Sequence, residues 1–163
     1  MRHIISILIE NEAGALSRVV GLFSARDFNI ESLTVAPTED ESLSRITLVS
    51  SGSDKIIEQI VKQLNKLIDV VKLIDLNDVD HVERELMLVK LAVTGSNRSE
   101  IIQIADVFRC RILDVSSRTM TIEATGKSKK LDALLNVLEH EKILEVARTG
   151  VCGLARGNNT LHV

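Results

Sequence analysis

Aromatic residues are scarce in this chain of 163 residues, which has three Phe, no Tyr and no Trp. Proteins that bind single-stranded nucleic acid stack its bases on aromatic side chains, so this scarcity counts against that class. Proline occurs once, at Pro37, and cysteine twice, at Cys110 and Cys152. Because the two cysteines show neither metal-ligand spacing nor a paired framework, we expect a reduced, cytoplasmic protein.

Strong charge and long apolar runs are also missing. The formal net charge is −3 and the pI is near 5.8, which argues against nucleic-acid backbones and anionic membranes as partners. The apolar run at residues 4–9 is too short for a signal peptide, and no later run approaches a membrane span. The chain does have 45% hydrophobic residues, which is enough for one domain core or two small ones.

The first half of the chain shows strand and helix patterns in the order βαββαβ. We predict a strand at 4–9, a helix at 14–26, strands at 28–36 and 44–51, a helix whose apolar stripe starts at Ile57, and a strand at 69–76. Pro37 ends the second strand, and Ser53 is a suitable N-cap for the second helix.

The same order repeats in the second half, after a polar stretch. We predict a strand at 86–93, a helix with apolar positions from Ile101 to Phe108, strands at 110–117 and 119–126, a helix with apolar positions from Leu131 to Leu138, and a strand at 143–151. The repeat predicts an α+β fold of two tandem ferredoxin-like βαββαβ domains. Their expected bounds are 1–77 and 86–163, with a linker at 78–85.

The first predicted strand is apolar on both faces. Ile5, Ile7 and Ile9 point to one side, whereas Ile4 and Leu8 point to the other. Two helices on a four-stranded sheet cover only one face, so the second face needs another layer. We therefore expect another domain or another chain to cover it, and we expect an oligomer.

No catalytic constellation appears in the sequence. The histidines do not form a His-Glu-x-x-His pattern, and we expect them to be solvated: His3, His81, His140 and His162. No serine lies in a G-x-S-x-G elbow, and no cysteine has a neighbouring histidine. RNA-recognition modules share the βαββαβ order, but both predicted third strands lack aromatic residues for stacking bases. We expect neither an active site nor nucleic-acid binding.

The junction between the first strand and the first helix contains an amide and a glycine, Asn11 and Gly14. One interpretation is turn chemistry, because both residue types tolerate left-handed backbone conformations. The other is an anion site, since free N–H groups at a helix N-terminus can bind a carboxylate. The junction alone leaves both interpretations open.

Three stretches resemble a known family. "GALSRVVGLF", "NIESLTVAPT" and "LSRIT" are similar to the opening of acetolactate synthase small subunits, as are "HVERELMLVK" and "EVARTGVCGLARG" further on. The resemblance covers residues 1 to 157. It implies a non-catalytic regulatory subunit with an N-terminal ACT domain and an ACT-like C-terminal domain. Such a subunit activates a catalytic large subunit, which carries thiamine diphosphate, Mg and FAD, and confers valine feedback inhibition in branched-chain amino-acid (valine and isoleucine) biosynthesis.

The resemblance also implies an effector site between two ACT domains of a homodimer. It assigns a loop of one chain and a strand start of its neighbour, namely Asn11, Gly14, Ala15 and Leu16 with Asn29 and Ile30. Helix N–H groups would bind the carboxylate of valine, and the two Asn amides add no net charge. One methylene changes affinity by only about 1–3 kcal/mol, so the choice among valine, leucine and isoleucine stays open. A free-standing amino-acid sensor that controls another enzyme is the alternative function.

Overall fold

The computed structural model describes residues 1–162. The chain forms two compact units, one made of Met1–Glu83 with the segment from Val151 onward, and one made of Arg84–Gly150. Each unit is built on an antiparallel sheet with two helices, which confirms the predicted α+β class of two βαββαβ repeats. The units divide the chain differently from the predicted bounds of 1–77, 78–85 and 86–163, because the C-terminal segment packs with the first unit.

The βαββαβ repeat of the first unit contains four strands and two helices. Their bounds are β1 Arg2–Glu10, α1 Ala15–Ser24, β2 Ser32–Pro37, β3 Leu43–Ser51, α2 Asp54–Leu64 and β4 Val70–Asp75. The sheet order is β2-β3-β1-β4, so β2 and β4 form its edges. Both helices pack on one face, where Ile5 and Ile7 of β1, Val19 of α1 and Ile60 of α2 are fully buried.

The second strand starts later than the predicted range of 28–36. Residues 28–30 have no regular structure, and β2 begins at Ser32. Phe28 and Ile30 are apolar because they pack against the core of the first unit, which imitates a strand pattern in the sequence. The first helix also ends at Ser24 rather than 26, and Asp27 adopts a left-handed backbone with φ 56°.

The second face of the first sheet is covered by the C-terminal segment of the same chain. Ile4 and Val49 on this face form a cluster with Leu76 and Val151, each at most 3% exposed. Strand β9 (Cys152–Ala155) follows, and Arg45 donates to the carbonyl of Leu161 at 3.0 Å. The predicted second layer therefore exists, but the expectation that another domain or chain supplies it is wrong. Oligomerisation does not follow from this face.

The second unit repeats the order of elements. Its bounds are β5 His81–Ala92, which begins in the first unit, α3 Arg98–Val107, β6 Arg111–Val115, β7 Thr119–Gly126, α4 Ser128–Val137 and β8 Ile143–Arg148. The sheet order is β6-β7-β5-β8, and its core includes Met87, Val89 and Ile122. The predicted linker is largely ordered, because β5 already begins at His81. Among residues 1–162, no helix is long and apolar enough to cross a membrane.

Candidate functional site

The loop between β1 and α1 ends in a glycine that caps the helix. Gly14 has φ 90°, a left-handed conformation that favours glycine. The N–H of Ala15 donates to the carbonyl of Glu12 at 3.2 Å. Within residues 1–162, no hydrogen bond satisfies the N–H groups of Leu16 and Ser17, and no acidic side chain lies in the first turn of α1. The helix therefore presents two open donors at its positive end.

Asn11 holds this loop against the hairpin that joins β2 and β3. Its backbone N–H donates to the carbonyl of Ser42 at 2.7 Å. Its Nδ2 donates to the carbonyl of Glu41 at 2.9 Å, and its Oδ1 accepts from Ser44 Oγ at 3.0 Å. Each end of the amide can make one further hydrogen bond. The main role of Asn11 in the structure is therefore to hold the loop in place, and its amide can still form hydrogen bonds to a ligand.

Arg18 lies over Gly14, and sequence reasoning missed it. A Cβ built on Gly14 would lie 2.9 Å from Nη1 of Arg18. The same guanidinium donates to both carboxylate oxygens of Asp69, through Nε at 2.5 Å and Nη2 at 2.7 Å. These hydrogen bonds hold the pKa of Asp69 below its ordinary value and raise the pKa of Arg18. No local sequence pattern indicates the ion pair of Arg18 and Asp69, because the two residues are 51 positions apart and meet only in the fold.

Ala15 and Leu16 can offer only their backbone to a ligand. Ala15 is 1% exposed, and the half-buried side chain of Leu16 packs against the core. Their apolar side chains fix the helix on the sheet, which holds the N–H groups in place. The assignment of Leu16 is therefore compatible with the structure through its main-chain N–H, whereas the N–H of Ala15 already donates to Glu12.

Asn29 and Ile30 lie in the irregular segment that precedes β2. The side chain of Asn29 is exposed, and its carbonyl accepts from Ser50 Oγ at 2.7 Å. Ile30 is half-buried against the core, so only part of its side chain can meet a ligand. Both residues precede the second strand rather than start it.

The two halves of the predicted site are far apart within one chain. Ser50, which holds Asn29, pairs with His3 at the beginning of β1, whereas the loop of Asn11 follows Glu10 at its end. His3 and Glu10 are seven positions apart along the extended strand, which corresponds to about 23 Å. The fold brings together Asn11, Gly14, Ala15 and Leu16, and it does not bring Asn29 and Ile30 to them.

An acidic cleft adjoins the loop. It has a volume of about 480 Å³ and is lined by Glu10, Glu12, Asp40, Ser42, Leu43 and Val71. Hydrogen bonds from Ser42 lower the pKa of Asp40, so this carboxyl stays ionised. Three carboxylates line this cleft, which favours a cationic group such as an ammonium.

The prediction that all histidines are solvated is wrong for His3. This residue is 9% exposed, and its Nδ1 lies 2.6 Å from Asp75 Oδ2. The ring lies on the buried strand β1, which begins at Arg2, whereas the predicted strand began only at Ile4. His81 is half-buried, whereas His140 and His162 are exposed. Across residues 1–162, no group of three or more potential ligands is arranged to bind a metal ion.

Comparison with known proteins covers nearly the whole chain. The model of the "AHAS small subunit-like ACT domain" matches residues 5–72, and that of the "Small subunit of acetolactate synthase" matches residues 84–157. The chain is 52% identical to the acetolactate synthase isozyme 3 small subunit of Escherichia coli K12, with 99% of this chain and 100% of that protein covered. The chain belongs to the acetolactate synthase small-subunit family.

Other members of the small-subunit family agree. The acetolactate synthase small subunit of Haemophilus influenzae is 50% identical, with 99% of each chain covered. The crystal structure of the small subunit from Thermotoga maritima has a TM-score of 0.88 and 40% identity, covering 98% of this chain and 99% of that one. The resemblance read from the sequence is thus confirmed. This chain is a regulatory subunit with an ACT domain, and it is not the catalytic one.

Proposed function

We propose that this chain activates the catalytic large subunit of acetolactate synthase and makes it sensitive to valine. Its membership in the small-subunit family over nearly its full length carries the proposal. The thiamine diphosphate, Mg and FAD needed for acetolactate synthesis would be bound by the catalytic subunit. The complex would act in the cytoplasm, on the pathway to the branched-chain amino acids.

A homodimer through the ACT domains would complete the effector site. Strand β2 is a sheet edge, and its Val35 is 39% exposed, so the edge is accessible to another strand. Two β2 edges paired antiparallel about a two-fold axis would place the start of one strand beside the end of the other. Since β2 ends opposite Ser44, near the anchor of Asn11, Asn29 of the partner subunit would approach that loop. This topology supports a shared site.

The polar groups of valine have complementary positions at such a site. Its carboxylate would accept from the N–H groups of Leu16 and Ser17, where the helix dipole favours an anion. Its ammonium group would face the acidic cleft that contains Glu10 and Glu12. The amides of Asn11 and the partner subunit's Asn29 would complete the hydrogen bonds.

Two measurements test this proposal. Calorimetry of the full chain with a panel of amino acids should give binding of valine, and the affinities of leucine and isoleucine will rank the branched side chains. An assay with the cognate catalytic subunit should show higher turnover on addition of this chain, and valine should reduce that turnover. Absence of any amino-acid binding, or acetolactate synthesis by the chain alone, would contradict the proposal.

A further inference from the structure

Arg18 carries a positioned donor that the protein itself does not use. Its Nε and Nη2 are committed to Asp69. Within the described residues Nη1 has no hydrogen-bond partner, and it lies beside the backbone of Gly14. The side chain is 47% exposed, so this nitrogen is accessible from solvent.

The position of this guanidinium is fixed by a buried residue. Asp69 is 3% exposed, and its carbonyl accepts from the N–H of Glu10 at 2.9 Å, which ties it to the end of β1. A bidentate pair fixes the plane of the guanidinium as well as its position. Nη1 is thus preorganised, and a ligand that binds it has little side-chain entropy to remove.

We propose that Arg18 binds the carboxylate of the effector, together with the N–H groups of Leu16 and Ser17. This inference rests on the proposed function and deepens it, because it makes a free carboxylate a requirement for the effector. Asp69 acts through Arg18 and is a positioning residue. The proposal also explains why a glycine stands at position 14. A side chain on Gly14 would displace the guanidinium from the place where the carboxylate binds.

If the ion pair between Arg18 and Asp69 only stabilised the fold, different binding data would be expected. Breaking such a pair would weaken every ligand of the loop to the same extent. Loss of a carboxylate-binding guanidinium would weaken valine far more than valinamide, in which a neutral amide replaces the carboxylate. The ratio of the two affinities therefore separates the two roles.

The experiment measures valine and valinamide binding to the full chain by calorimetry. Arg18→Met alone leaves the Asp69 carboxylate buried without its partner, so the double variant Arg18→Met/Asp69→Asn accompanies it as the form that folds. We expect valine to bind about 10- to 100-fold more weakly to both variants, the factor for one lost charged hydrogen bond. Valinamide affinity should change by less than about threefold because a neutral amide makes the weaker bond.

The matched control is Arg26→Met, at the other end of α1, where the guanidinium donates to Gln63 Oε1 at 3.0 Å. This variant should keep the wild-type ratio of valine affinity to valinamide affinity. An unchanged ratio in the folded double variant would overturn the role of Arg18 and leave the proposed function intact. Failure of the wild-type chain to bind any amino acid would overturn the proposed function itself, and the inference with it.

Discussion

The two units share an order of elements but differ at the turn into their first helix. In the first unit, Gly14 caps α1, and no hydrogen bond within residues 1–162 satisfies the N–H groups of Leu16 and Ser17. In the second, Asn97 caps α3, accepts from the N–H of Thr94 at 2.7 Å and donates to the carboxylate of Glu141 at 2.6 Å. The side chain at the second cap thus already binds a carboxylate of the same chain, whereas Gly14 has no side chain to do so. We therefore expect an external carboxylate to bind at the first turn, which we call the open turn, and not at the second, which we call the closed turn.

The largest expected effect comes from a carboxylate placed in the open turn. Gly14→Asp should weaken valine binding by about a thousandfold, because like charges about 4 Å apart at an effective dielectric near 20 repel by roughly 4 kcal/mol. The new side chain would also displace Arg18 and strain a backbone at φ 90°. Activation of the catalytic subunit should persist, as turnover assays with and without valine would show.

The control lies in the corresponding turn of the second unit. Among the residues that the structure describes, no atom lies within 4 Å of a Cβ placed on Gly95, so Gly95→Asp has room for its side chain. It should leave valine inhibition unchanged. An equal loss of valine inhibition in the two variants would contradict the distinction between the open and the closed turn.

The next effect concerns assembly. If the site draws groups from two chains, only the dimer binds valine, and a two-fold dimer has two such sites. Valine at ten times its dissociation constant then stabilises the dimer by about 1.4 kcal/mol per site, or about 2.8 kcal/mol in all. Sedimentation should therefore show a dimer dissociation constant about 100-fold lower with valine. A monomer–dimer equilibrium that does not change on addition of valine would count against the shared site.

Acid should destabilise both units for related reasons. Hydrogen bonds from Arg18 lower the pKa of Asp69 in the first unit. In the second, burial raises the pKa of Glu85, but hydrogen bonds from Arg148 and Ser128 outweigh it and leave the pKa lowered. Each carboxylate stabilises the fold above its ordinary pKa, 3.8 for Asp69 and 4.5 for Glu85.

That stability is lost as the pH falls through the lower folded-state pKa of each group. Hydrogen exchange followed from pH 6 to pH 3 should show loss of protection in both units. Valine should shift the loss of protection to lower pH in the first unit more than in the second. Equal protection of the two units by valine would place its site elsewhere.

The smallest effect is expected for the closed turn. Asn97→Ala removes the hydrogen bonds to Thr94 and Glu141 and should lower the free energy of unfolding by about 1–2 kcal/mol. Valine affinity should stay at the wild-type value. Asn11→Ala is the counterpart in the open turn, and it should reduce both stability and valine affinity. Urea unfolding and calorimetry distinguish the two results.

The sequence predicted the elements of the fold because apolar periodicity is local. Ile5 and Ile7 indicate β1, and Leu131 with Leu134 indicates α4. It could not predict what covers the second face of the first sheet, since that cover comes from Val151 and the residues after it, far along the chain. The late start of β2 was missed because Phe28 and Ile30 are buried without strand pairing.

The candidate site was predictable only where it is a local loop. Asn11 and Gly14 lie at a strand-to-helix junction that can be recognised from spacing, and the resemblance added Asn29. Arg18 and Asp69 gave no comparable indication, because an arginine on an exposed helix turn has no pattern that announces a partner 51 positions away. Long-range ion pairs follow from the fold and not from the sequence around either residue.

A mixing experiment tests the shared effector site most directly. Gly14→Asp removes the loop half of each site, and Asn29→Ala removes the strand half. Neither homodimer should bind valine with high affinity, whereas the mixed dimer combines one intact loop with one intact Asn29. For equal amounts and random exchange in a two-fold dimer, calorimetry should recover about a quarter of the wild-type sites at wild-type affinity. No high-affinity binding in the fully exchanged mixture would contradict a site shared between two chains.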